Sequence, residues 1–73
     1  MLSLFTTKSC TQCPIVLSAL DAKGADYHSV DAEEHPELAA AHGFMSVPTI
    51  VSHEGEVHTG TAACLAFINE SDL

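Results

Sequence analysis

The chain changes its hydrophobic rhythm three times in its first thirty residues. Leu2 to Thr6 is a short, mostly apolar run, the pattern of a buried strand. Thr7, Lys8 and Ser9 break it as a connecting loop. Apolar residues then recur at Cys13, Val16, Leu17 and Leu20, the spacing of one helix face, which predicts a helix running from Cys10. Lys23 followed by Gly24 predicts its end: a cation in the last turn, then a residue free to turn left-handed. Pro14 is acceptable only within the first turn, where few N–H groups have a helical partner.

Ala25 to Val30 reads as a second strand. Strand, helix and strand of these lengths imply a right-handed parallel crossover. Asp31 with Glu34, then Pro36, marks a second helix that carries Leu38, Ala39, Ala40 and Ala41 and stops at Gly43. Pro48 opens a third strand, Thr49 to Ser52; Glu54-Gly55 is a two-residue turn; Glu56 to Thr59 returns as a fourth strand. Thr61 is placed to cap a last helix with Cys64, Leu65, Phe67 and Ile68 on its apolar side. The predicted order is β-α-β-α-β-β-α, a sheet with helices on both faces.

The 73 residues leave room for one domain, expected to span 1–73, and 47% of them are hydrophobic, enough for a compact core. Ten acids face only Lys8 and Lys23, a net charge of −8. A phosphate-binding surface needs the opposite balance, so nucleic acid is not an expected partner. The first apolar run is too short and lacks the basic start of a signal peptide, and no stretch approaches membrane-spanning length. Three cysteines are too few for a secreted disulfide scaffold, which favours a reducing, cytoplasmic setting.

The chemistry concentrates in Cys10-Thr11-Gln12-Cys13, where the first strand hands over to the first helix. The positive end of a helix stabilises a thiolate and lowers its pKa. A second thiol one turn away can attack a mixed disulfide formed by the first. So short a loop is a poor structural staple, because closing it removes little chain entropy. A zinc site is the competing reading, but four ligands are needed and His28, His35, His42, His53 and His58 are scattered without ligand spacing. Cys64, on an apolar helix face, reads as a small core residue. Downstream, Ser46-Val47-Pro48-Thr49 puts a proline at the mouth of a strand. A cis bond there would leave the N–H and C=O of Val47 free to pair with an extended substrate.

Together these segments resemble the thioredoxin superfamily, specifically its smallest members, the glutaredoxins and NrdH-redoxins. Phe5 to Cys13 is similar to their active-site entry, Val47-Pro48-Thr49 to their cis-proline motif, and Thr59-Gly60-Thr61 lies where the last strand turns into the last helix. The resemblance implies a thioredoxin-like (glutaredoxin) fold, a four-stranded mixed sheet flanked by three helices. It implies a dithiol–disulfide oxidoreductase with Cys10 as nucleophile and Cys13 as resolving thiol. Val47, Pro48, Thr49, Lys8, Gln12 and Gly60 are then expected around the substrate, with no bound cofactor and no metal.

Gln12 before the second cysteine is similar to NrdH-redoxins, whereas glutaredoxins more often have Pro-Tyr between their cysteines. Glutaredoxins hold glutathione with a basic residue ahead of the first cysteine and an acid at the last helix. Lys8 lies near the first position, but Ala62 and Ala63 supply no acid at the second. The expected reductant is therefore a thioredoxin-reductase-type flavoprotein, with glutathione the weaker alternative. Ribonucleotide reductase is the protein disulfide substrate that the NrdH resemblance suggests, and the chain is expected to work as a monomer. The alternative function is an iron–sulfur or copper carrier using the same cysteines. Copper chaperones, however, have β-α-β-β-α-β order and end in a strand.

Overall fold

A computed structural model describes residues 2–70. The order is β1 (Leu2–Thr6), α1 (Cys13–Lys23), β2 (Tyr27–Asp31), α2 (Pro36–His42), β3 (Thr49–Val51), β4 (Val57–Thr59) and α3 (Thr61–Glu70). The strands form one mixed sheet in the order β2-β1-β3-β4. β1 pairs parallel with β2, and β3 is antiparallel to both β1 and β4. This is a thioredoxin-like arrangement, and its helical end after β4 differs from the order of copper chaperones.

Alternation along β1 divides the core into two layers. Leu2 and Leu4 face α1 and α3, where they pack with Val16, Leu20, Ile50, Cys64 and Ile68. Phe5 faces the opposite side with Phe44 and Val51, against Ala39 of α2 and Val47. The Phe5 and Phe44 rings lie 4.9 Å apart in a tilted pair. Among the four apolar residues expected on the last helix, Cys64 and Ile68 are buried, while Leu65 and Phe67 are half-buried. On α2, Ala39 is the half-buried residue and Leu38 is exposed.

Several element boundaries differ from expectation, each for a local reason. α1 starts at Cys13 rather than Cys10. A start at Cys10 would put Pro14 in the helix interior, without an N–H for the Cys10 carbonyl and with its ring against it. β2 starts at Tyr27 because the N–H of Ala25 closes the left-handed Gly24 cap by donating to Leu20 O, 3.1 Å away. Asp31 turns the chain ahead of α2 instead of capping it. Its Oδ1 accepts the N–H of Glu33 at 2.8 Å and its carbonyl accepts those of Glu34 and His35. The β3–β4 loop comprises His53, Glu54 and Gly55, not two residues, since Ser52 donates to Glu56 O at 2.9 Å. Ser52 Oγ accepts the N–H groups of Glu54 and Glu56 inside it. Gly60, not Thr61, holds the cap position ahead of α3, because its carbonyl accepts the N–H of Cys64 at 2.9 Å.

Candidate active site

The C-terminal end of β1 and the N-terminal end of β3 lie side by side, since Phe5 pairs with Thr49. The two segments singled out in the sequence therefore meet at one end of the sheet. Beyond Thr6 the chain turns, with Cys10 N–H donating to Thr7 O at 3.2 Å. Cys10 is half-buried ahead of the helix, and Cys13 is its buried first residue. The two cysteines are joined as a disulfide, with their Cα atoms 5.6 Å apart. Cys13 N–H, one of the unpaired donors of the helix end, points at Cys10 Sγ from 3.1 Å. A sulfur there receives both a hydrogen bond and the positive end of the helix dipole, which favours its thiolate once the disulfide opens. Thr11 and Gln12 are exposed between the cysteines, and Gln12 makes no side-chain cap to the helix.

Lys8, Cys10 and Cys13 line a groove of about 260 Å³ together with Thr6, Thr7, Pro14, Leu17 and Ser29. Thr7 also lines a second groove, of about 230 Å³, which includes Val47, Glu33, Phe44 and Met45. This second groove lies on the α2 face of the sheet; the first lies on the α1 face.

The Val47–Pro48 bond is cis. Pro48 is fully buried, and its carbonyl accepts the N–H of Gly60 at 2.9 Å. Gly60 has φ +96°, a conformation that side chains other than glycine's rarely adopt. Thr49 is fully buried, and its hydroxyl donates to Ser46 O at 2.6 Å. It is thus placed to hold the loop before Pro48, not to present its side chain at the surface. Val47 is half-buried and takes part in no backbone hydrogen bond among the described residues.

Cys64 lies in the core beneath this loop. Its thiol faces His58 O at 3.3 Å and Pro48 O at 3.6 Å. Burial pushes its pKa up, and a backbone hydrogen bond with Ile50 opposes this. No group of three or more His, Cys, Asp or Glu side chains among the described residues could hold a metal ion.

Of the residues expected from the sequence, Lys8 lines the groove with both cysteines, and the Pro48 segment lies at the same end of the sheet. Leu17 and Ser29 line the groove too and were not expected there. Ser29 is the parallel partner of Leu4 and so stands on the α1 face. Only the strand register shows this, and a single strand's alternation does not carry it.

The glutaredoxin family model matches residues 2–57, which include both cysteines and the Pro48 segment but not α3. Among solved structures, the chain is similar to the NrdH-redoxin of Escherichia coli, described as a glutaredoxin-like protein with a thioredoxin-like activity profile. The TM-score is 0.76 at 24% identity, over 93% of this chain and 90% of that one. A second similar structure, the structural-genomics target XcR50 from X. campestris, gives 0.65 at 21% identity, over 97% and 99%. No curated protein matches the sequence. No helix among the described residues is long and apolar enough to cross a membrane. The chain belongs to the glutaredoxin family, as a dithiol–disulfide oxidoreductase of the two-cysteine kind.

Proposed function

We propose that the protein passes electrons to protein disulfides, with Cys10 attacking and Cys13 resolving. The contact that carries this reading is Cys13 N–H against Cys10 Sγ at 3.1 Å. It favours the thiolate of the more accessible cysteine and keeps the buried one within reach of it. Cys10 attacks a substrate sulfur, forming a mixed disulfide and releasing the first substrate thiolate, which takes up a proton. Cys13 then attacks Cys10 Sγ, releasing the second thiolate and leaving the Cys10–Cys13 disulfide.

Val47 binds the substrate chain through its free N–H and C=O. Pro48, Thr49 and Gly60 hold that loop in place, and Gln12 forms part of the rim over which the substrate lies. The positive charge of Lys8 favours the Cys10 thiolate further.

A thioredoxin-reductase-type flavoprotein restores the dithiol, and ribonucleotide reductase is the substrate, in a reducing cytoplasm. The thioredoxin-like activity profile of the similar Escherichia coli protein supports this choice. So does the lack of an acid at Ala62 and Ala63 to hold the ammonium group of glutathione. Each missing charge-assisted hydrogen bond forgoes about 1.5–3 kcal/mol, or roughly ten- to a hundredfold in affinity. The test is a comparison of reductants, using the thioredoxin reductase of the source organism against glutathione and its reductase, with insulin as acceptor. Faster turnover with the flavoprotein is expected. Efficient reduction of the Cys10–Cys13 disulfide by millimolar glutathione would overturn the choice of reductant.

A further inference from the structure

The groove on the α2 face of the sheet joins an apolar floor to an unpaired negative charge. Its floor is Phe44, buried against Phe5 and Val51, with Ala39 and Val47 packed beside it. α2 buries no residue, and Ala39, the one it turns inward, is too short to fill the space over Phe44. Met45, fully exposed, and Glu33 form the rim. The N–H of Glu33 donates to Asp31 Oδ1 at 2.8 Å, which fixes the turn that carries it. Its carboxylate has no cation within ion-pair distance among the described residues, and His35 faces Glu37 instead. Lys8 lines the groove on the other face, and no cation lines this one among the described residues.

We propose that this groove selects protein disulfides with a lysine or arginine two residues from the attacked cysteine, its stem on Phe44, Met45 and Val47 and its charge at Glu33. Thr7 lines both grooves, so this one adjoins the groove that contains Cys10. A substrate strand that pairs with Val47 alternates its side chains, so the residue two places from its cysteine faces the protein with it. The volume of about 230 Å³ is less than a drug-sized ligand needs and suits one long side chain. Lysine and arginine lay their apolar stems on such a surface and keep the charge at its edge. An acidic side chain there would meet Glu33 with no cation to offset it. The Cys10 thiolate breaks the substrate disulfide and releases one thiolate; Cys13 then displaces the other from Cys10. Two electrons leave the dithiol, the Cys10–Cys13 disulfide forms, and each released thiolate takes up a proton. The proposal rests on the disulfide-exchange reading above and adds a substrate preference to it.

The test uses capped pentapeptides with cysteine at the centre, alanine on each side of it, and lysine, glutamine or glutamate at both ends. Each is oxidised to its symmetric disulfide and mixed with the reduced protein at physiological ionic strength, where a Debye length of about 8 Å screens distant acids. Each single-turnover rate is divided by that of free mercaptoethanol with the same disulfide, which removes differences in leaving group. The normalised rate should be about two- to fivefold higher for the lysine than for the glutamine peptide, the range of a partly exposed ion pair, and lowest for glutamate. Glu33→Gln should abolish the lysine preference, and Glu33→Lys should favour the glutamate peptide. Glu54→Gln removes an equal charge from the β3–β4 loop at the far end of the sheet and should keep the parent ratio. Because a ratio between substrates is read, any general effect of Glu33 on the Cys10 thiolate cancels. No lysine preference in the parent, an unchanged ratio in Glu33→Gln, or an equal fall in Glu54→Gln would overturn the proposal while leaving disulfide exchange intact. So would failure with the peptides when insulin is still reduced. Failure with the peptides and with insulin would instead overturn the exchange reading on which the proposal rests.

Discussion

The backbone N–H of Cys13 donates to Cys10 Sγ across 3.1 Å, from the first residue of a helix to the last half-buried residue before it. As the first residue of α1, Cys13 has no helical carbonyl for its N–H, and the turn at Cys10 brings sulfur to that free donor.

Pro14 sets this start, and its replacement tests it. Pro14→Ala returns an N–H in the first turn, where no helical carbonyl can accept it, so the helix gains no bond. Stability should fall by less than about 1 kcal/mol, through the looser unfolded chain. Urea denaturation measures this. A gain of about 3 kcal/mol would mean that Pro14 was breaking a helix begun at Cys10.

Gly60 joins the Pro48 loop to the start of α3. A Cβ on Gly60 would meet open space, so Gly60→Ala tests backbone conformation alone. At φ +96° the substitution should cost about 1–2 kcal/mol. For a domain of this size each kcal/mol lowers Tm by about 4–8 °C. An unchanged Tm would show that residue 60 does not need this conformation.

Cys64 gives a pH dependence with a defined sign. Burial raises its pKa above the ordinary value of 9.0, with the Ile50 backbone hydrogen bond acting against the rise. Above that value the unfolded chain loses the thiol proton while the folded chain keeps it, so stability falls as pH rises. The contribution is fully present below pH 9.0 and is lost as pH climbs through the folded pKa. Tyr27 adds an effect of the same sign above its ordinary value of 10.0, because its hydroxyl donates to Asp21 and its pKa also rises. Chemical denaturation at several pH values should show a shallower alkaline decline in Cys64→Ser than in the parent. Equal slopes would contradict a buried, neutral Cys64.

The extent to which the fold was legible follows from where its signals lie. β1 matched its predicted range, because Leu2 to Thr6 is a compact apolar run bounded by polar residues. The helix ends at Gly24 and Gly43 also matched, since left-handed caps leave a local mark. Boundaries set by hydrogen bonds to other segments did not match. Ala25 is drawn into the α1 cap, Ser52 into the loop before β4, and Asp31 into a turn. The placing of the Cys10–Cys13 pair at the start of α1 and of Pro48 at the mouth of β3 was readable from spacing and residue chemistry. The placement of Ser29 beside Leu4 and of the Cys64 thiol beneath Pro48 depends on packing between distant segments.

The division of labour between Cys10 and Cys13 is the central claim, and trapping tests it most directly. The reduced Cys13→Ser variant is mixed with a disulfide substrate, digested under acid conditions and analysed by peptide mass spectrometry. The account predicts a stable mixed disulfide on Cys10, none on the buried Cys64, and no such adduct on Cys13 in the Cys10→Ser variant under the same conditions. An adduct that forms readily on Cys13 in Cys10→Ser, with none on Cys10 in Cys13→Ser, would reverse the roles of the two cysteines and contradict the account.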